Sequence, residues 1–158
     1  MTATPALALR PSNRSDFEAV RALLSDAGLP TEDLASAPGL RFWVGEQGDL
    51  IVGAIGLEPY GAAGLLRSLA VATSYRAHGL GSLLVERLER EAHAAEIQVL
   101  VLLTQTAEPF FQRLGYEVIE REYVPEEVKH SAEFASLCPA SAVCMTKTLA
   151  GRQPTEAR

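Results

Sequence analysis

The hexapeptide Arg76-Ala77-His78-Gly79-Leu80-Gly81 holds the residue types that bind a phosphate. Arg76 carries a fixed cation, and Gly79 and Gly81 have no Cβ to keep a phosphate away from the backbone. Ahead of it, Leu65 to Val71 is an apolar, β-favouring run broken only by Arg67-Ser68. Behind it, Leu80, Leu83, Leu84 and Leu88 recur at three- and four-residue steps, so a helix is predicted to start at the second glycine. The first N–H groups of a helix have no intrahelical partner. Strand, basic glycine loop and helix N-terminus together therefore present donors to an anion. The loop lacks the Gly-Lys-Ser/Thr ending of a P-loop and the three-glycine spacing of a dinucleotide fingerprint.

The elements that must hold this loop follow from the rest of the pattern. Leu7 to Arg10 is predicted as a first strand, and Ser15-Asp16-Phe17-Glu18 as a capping box opening a helix with Phe17, Val20, Leu23 and Leu24 on one face and Gly28 as its C-cap. Leu29 to Gly39, bounded by prolines, is a short helix or a loop long enough to lid a site. Strands at 41–45 and 50–58 form a hairpin across Gln47-Gly48-Asp49, and Gly61 to Gly64 turns into the loop-bearing strand. Ile97 to Leu103 is nearly unbroken aliphatic, as in a strand buried on both faces. A short helix follows over 106–115, then a sixth strand over 116–120, a helical composition over 125–137 and a seventh strand over 142–149.

A chain of 158 residues with 47% apolar and 22% charged side chains supports one globular domain, here residues 1–150, with 151–158 expected to be a disordered tail. A net charge of −6 argues against a nucleic-acid partner. No apolar run is long enough to span a bilayer, and the N-terminus lacks the pattern of a signal peptide. Two cysteines, Cys138 and Cys144, make neither a disulfide scaffold nor a zinc site. The expectation is a cytoplasmic, metal-free protein with no membrane partner.

Arg76-x-x-Gly79-x-Gly81 at a strand-to-helix junction resembles the acetyl-CoA pyrophosphate loop of the GNAT acyltransferase superfamily. The element order matches that fold over roughly residues 7 to 149, and Asn13-Arg14-Ser15-Asp16 looks like its usual opening. The resemblance implies an α/β (α+β) fold, a single domain with a mixed, mostly antiparallel sheet of six to seven strands flanked by helices. It also implies acetyl-CoA as co-substrate, a small-molecule amine as acceptor and no metal, with a homodimer left open. The strands at Leu65 and Ile97 would run parallel and then diverge, opening a slot for the pantetheine arm against the backbone of Leu69, Ala70 and Val71. Arg76, His78, Gly79, Leu80, Gly81 and Ser82 would hold the pyrophosphate, with Gln105, Phe111 and Arg113 on the far wall.

A second family pattern, Asn-x-x-Ala-x-x-Phe-Tyr, corresponds here to Thr104-Gln-Thr-Ala107-Glu-Pro-Phe110-Phe111. The tyrosine that protonates the leaving thiolate in the family is replaced by Phe111, which has no hydroxyl. Leu102-Leu-Thr-Gln-Thr-Ala resembles the acetyltransferase domain of N-acetylglutamate synthases. The segment Glu133 to Lys147 resembles more closely the arsenic-resistance proteins of the arsinothricin N-acetyltransferase type, which implies a glutamate-like amino acid as acceptor.

On that reading, the acceptor's ammonium must lose a proton before it attacks. Glu58, at a strand end, can take it directly or through water, or is simply a solvated strand-end charge. Tyr60 is a lesser candidate on the same strand end. Arg41 and Arg67 are the cations for an acidic acceptor group, because a guanidinium grips a carboxylate by two parallel bonds. The alternative is that Arg67 faces solvent or pairs with a neighbour. Ser68 either hydrogen-bonds the acceptor or thioester or leaves room for them, and Thr104 is a further acceptor contact. His93 and His130 look like solvated helix positions, and Cys138 like a buried small hydrophobe. No Ser/His/Asp or Cys/His set is visible, which suits direct attack without an acyl-enzyme.

Overall fold

The computed structural model describes residues 6–76, 79–137 and 140–149. Along the chain come β1 (Leu7–Pro11), α1 (Phe17–Asp26), β2 (Arg41–Gln47), β3 (Leu50–Tyr60) and β4 (Ala63–Val71). Then follow α2 (Leu80–Ala94), β5 (Val99–Thr104), α3 (Glu108–Arg113), β6 (Glu117–Val118), α4 (Glu126–Lys129) and β7 (Val143–Thr148). The strands form one sheet in the order β1-β2-β3-β4-β5-β7-β6. All neighbours are antiparallel except β4 and β5. The single mixed sheet expected from the sequence is therefore present, with seven strands.

Both faces of the sheet are covered. On one, α2 lays Leu80, Leu84, Val85 and Leu88 against Trp43, Ile55, Leu57 and Leu100. Leu84 and Leu88 are fully buried, and each contributes roughly 1.5–3 kcal/mol on leaving water. The helix can come this close because Gly53 has no side chain: a Cβ there would lie 2.9 Å from Leu84 Cδ1. On the other face, α1 packs Val20 and Leu24 over Val44, Ala54 and Ala70. Leu100, Val101 and Leu102 of β5 are all buried and serve two different clusters, as a strand covered on both faces must.

Several boundaries differ from the sequence expectation. The first cap is Asn13, not Ser15: its side chain accepts the Ser15 N–H at 3.0 Å, and Asp16 accepts the Asn13 N–H at 2.8 Å. Arg10 of β1 forks onto Asp16 at 2.8 and 3.0 Å and pulls the cap one position pair earlier. Phe17, expected on the helix's apolar face, is exposed. Residues 29–40 form successive turns and no regular helix. The sixth strand shrinks to two residues, and 125–137 divides into α4 and a π-helical turn over Glu133–Leu137. Residues 150–158, including the expected tail, lie outside the described residues, as do His78 and Cys138.

Candidate active site

Parallel pairing between β4 and β5 covers only Ala63↔Val99, Gly64↔Leu100 and Leu65↔Val101. Past Leu65 the strands separate, and a cavity of about 430 Å³ opens between Leu66–Leu69 and Leu102–Thr104. Two residues of β4, Ser68 and Leu69, stand opposite Ile55 alone, because the register runs from Ala54↔Ala70 to Gly56↔Arg67. Ser68 holds φ +59, a left-handed conformation that costs a non-glycine residue about 1–2 kcal/mol. The bulge bends β4 at the mouth of the fork and turns Arg67 and Ser68 into the cavity wall.

A second cavity of about 700 Å³ runs from Leu69 and Val71 past Arg76, Gly79, Gly81, Ser82 and Arg113. The two share Leu69, Thr106 and Ala107, so they form one continuous path. At its outer end α2 starts on Gly79, which sits at φ +84 with open space where a Cβ would be. Glycine is needed there for backbone conformation. Gly81 differs: its Cβ would meet Phe110 Cζ at 3.3 Å, so the residue sets how closely α2 approaches α3. The 15-residue α2 has no side-chain cap, leaving its first N–H groups to an outside acceptor between two arginines. These features fit a phosphate-bearing ligand such as CoA.

Not every expected cofactor residue presents its side chain to the path. Leu80 is plugged into the sheet, and Ala70 is buried under α1, so each offers only backbone. Arg76 is exposed and its Nε donates to the Val71 carbonyl at 2.9 Å, occupying one lone pair of a group expected to be open to pantetheine. Gln105 lines the inner cavity, not the outer one. Phe111 lines the inner cavity while its ring packs edge-on against Phe110 and Tyr116. Tyr116 does not replace the missing tyrosine. It is buried, its hydroxyl donates to Glu89 of α2, and burial beside that carboxylate pushes its ionisation well up.

The inner cavity ends on a buried ion cluster. Arg67, 2% exposed, donates from Nη1 and Nη2 to Asp33 at 2.6 and 2.9 Å, and from Nη1 to Glu58 at 2.6 Å. Its Nε donates to Ser68 Oγ at 2.9 Å and lies 3.4 Å from Glu133. Burial works against the guanidinium's charge, but the bonds to Asp33, the field of Glu133 and the bond to Glu58 together hold it firmly protonated. Arg67 therefore pairs with its neighbours and does not face solvent. Glu58 lies behind it, outside the cavity lining, and also accepts the Tyr60 hydroxyl at 2.5 Å. Burial and that carboxylate raise the Tyr60 phenol's ionisation. Thr104 lines the cavity, and its Oγ1 accepts the Ala107 N–H at 3.0 Å at the entry to α3.

Arg41 is not brought to this cluster. It is exposed, stacks 4.8 Å above the Trp43 ring and lines a separate cavity beside Asn13 and Phe17. The sequence reading missed Asp33 and Glu133, the two carboxylates that complete the cluster. The one available signal was Arg67 itself, since a cation inside an apolar strand demands buried partners. Among the described residues no group of histidine, cysteine and carboxylate side chains could hold a metal ion. No described helix is long and apolar enough to cross a membrane.

Residues 38–118, carrying β2 to β6 and both cavities' main walls, match the acetyltransferase (GNAT) domain family. The chain belongs to the GNAT acetyltransferase family. An uncharacterised N-acetyltransferase of Chlorobaculum tepidum is 36% identical over 88 residues, covering 53% of this chain and 54% of that protein. An amino-acid acetyltransferase of Mycobacterium tuberculosis is 36% identical over 91 residues, covering 55% of this chain and 52% of that protein. The match thus spans about half the length of these curated relatives. Among solved structures, Rv2747 from Mycobacterium tuberculosis, in complex with CoA, superposes with a TM-score of 0.74 at 26% identity over 89% of this chain and 98% of that one. N-acetylglutamate synthase from Neisseria gonorrhoeae, in complex with coenzyme A and N-acetyl-glutamate, shares the fold. Its TM-score is 0.77 at 17% identity over 92% of this chain and 36% of that one.

Proposed function

We propose that this GNAT protein transfers an acetyl group from acetyl-CoA to the amine of a small amino acid by direct attack in a ternary complex. The observation that carries the reading is the continuous path from the open N-terminus of α2, between Arg76 and Arg113, to the fork at Arg67 and Ser68. A ligand with a phosphate end and a thioester end has a place for each along it. The acceptor amine enters the inner cavity, gives up a proton and attacks the thioester carbon, and the C–S bond breaks. The amino-acid class is supported by the similarity to the amino-acid acetyltransferase of Mycobacterium tuberculosis and by the likeness to N-acetylglutamate synthase.

The narrower acceptor, a glutamate-like amino acid carrying an arsenic or phosphorus group, is supported only by the resemblance of the Glu133 to Lys147 segment. Arg67's carboxylate partners favour a second reading, in which the acceptor is another small amine without an acidic group at that point. Free-thiol release with acetyl-CoA separates them, using L-glutamate, L-glutamine, arsinothricin, phosphinothricin and spermidine as acceptors. Selective turnover of the first four supports the amino-acid reading, and turnover of spermidine alone supports the second. CoA binding by calorimetry without turnover of any amine would indicate a non-catalytic acyl-CoA-binding module, for which Phe111 in the tyrosine slot is the motive. No CoA binding at all would overturn the proposal.

A further inference from the structure

We propose that the separate cavity lined by Arg41, between the N-terminal end of α1 and the start of β2, binds a small molecule carrying a carboxylate on an apolar body. It measures about 390 Å³, within the span of roughly 300–1,000 Å³ typical of small-molecule sites. It shares no lining residue with the path from α2 to the fork. The turns over 29–40 contribute to both walls: Leu29 and Pro30 line the inner cavity, whereas Leu34 and Leu40 line this one.

The charged side chains of this wall are both cations. Arg14 and Arg41 line the cavity, and no described Asp or Glu does. Neither guanidinium has an acidic partner among the described residues. The carboxylates adjacent in sequence are committed to other arginines, Asp16 to Arg10 and Glu18 to Arg21. Asn13 adds a donor of fixed direction. Its Oδ1 accepts the Ser15 N–H at 3.0 Å and the Ser15 hydroxyl at 2.5 Å, which leaves its amide N–H groups without a partner among the described residues.

Two cations and an amide donor on one wall, with no carboxylate to offset them, favour an anion. A guanidinium grips a carboxylate by two parallel bonds, and Arg41 is already oriented by its stacking 4.8 Å above the Trp43 ring. The rest of the wall is apolar. Val20 and Leu34 are buried at its base, while Phe17 keeps 39% of its surface exposed. A bare inorganic anion leaves that ring in water. An apolar body attached to the carboxylate covers it, and the burial adds to binding.

Trp43 is the chain's single tryptophan and lies beneath Arg41, so its fluorescence reports a ligand that engages that guanidinium. The full chain is titrated with 3-phenylpropionate, with the neutral 3-phenylpropionamide and with inorganic phosphate, followed by Trp43 fluorescence and by calorimetry. 3-Phenylpropionate is expected to bind about tenfold tighter than either of the others, the scale of one charge-assisted hydrogen bond. Arg14→Gln and Arg41→Gln should each weaken it by about the same factor in calorimetry. Tm without ligand should hardly change in either variant, because both side chains are exposed. Saturating 3-phenylpropionate should leave CoA affinity as it was, since the two cavities are separate. Absent binding, equal binding of the acid and its amide, or undiminished binding in either arginine variant overturns the proposal. Phosphate binding as tightly as the acid removes the apolar body from the recognition and overturns it too. Competition with CoA would put the ligand in the cofactor path, with the same consequence.

Discussion

Arg67 is where stability and chemistry meet in a single side chain. Its guanidinium is buried and bonded to Asp33, Glu58 and Ser68, with Glu133 alongside. Arg67→Ala should therefore cost about 3–5 kcal/mol in urea unfolding, because it leaves carboxylates buried without their cation. A loss under about 1 kcal/mol is the size of an exposed pair and would contradict the burial described here. Arg67→Lys should also destabilise, since an ammonium cannot fork onto both Asp33 oxygens. Phe111 gives a second test at this scale. Its ring is 5% exposed between two other aromatic rings, so Phe111→Ala should cost about 3–5 kcal/mol. Phe111→Tyr keeps the ring, and expression as a folded protein with retained CoA binding is the expected result.

At the scale of the element, the loop and α2 carry the distinction between two glycines. Gly79 needs its left-handed backbone, whereas Gly81 sits in the helix with Phe110 of α3 at its back. Gly79→Ala should cost about 1–2 kcal/mol by strain alone, with no clash. Gly81→Val adds an isopropyl group whose Cβ alone would already lie 3.3 Å from the Phe110 ring, so α3 must shift and the shared wall at Thr106 and Ala107 moves with it. Calorimetry should show weaker CoA binding for Gly81→Val than for Gly79→Ala. Equal affinities for Gly81→Val and the parent would separate the α2–α3 contact from ligand binding. The bulge at Ser68 acts at the same scale, since it interrupts the β3–β4 register between Arg67 and Ala70.

For the whole molecule, three acids, Cys144 and Tyr116 buried and Tyr60 half-buried, respond to alkali in the same direction. Burial lifts the Cys144 thiol from 9.0 to about 11, and Tyr60 and Tyr116 are likewise held above the ordinary phenol value of 10.0. The unfolded chain ionises these groups first. Between pH 9 and about 11 the folded state thus binds more protons, and stability present below pH 9 falls as pH rises. Tm measured by circular dichroism over that range should fall steadily, and Cys144→Ala should reduce the fall. A flat Tm would mean these groups are more accessible than described. The same burial keeps Cys144 unreactive: peptide mapping after iodoacetamide at about pH 8 should find it modified only once the chain is unfolded.

Local patterns were legible where one stretch of chain contains both the cause and the effect. The leucine spacing of α2, the aliphatic run of β5 and the glycine loop between strand and helix each follow from neighbours within about four residues, so the sequence alone defines them. The divergence of β4 from β5 was also expected, from the resemblance to the GNAT fold, in which it opens a slot for the pantetheine arm. The first cap was misassigned because Arg10, held in β1 by its pairing with β2, recruits Asp16 through tertiary geometry. The ion cluster was illegible for the same physical reason at longer range. Asp33 lies 34 residues from Arg67, in a turn-rich segment without periodicity, and Glu133 sits in a π-helical turn that composition does not distinguish from an α-helix. Sequence established that a buried Arg67 must have partners, because an isolated charge is too costly in an apolar strand. Only the closing of the sheet and its covering turns decided which carboxylates those are, and which of them faces the cavity.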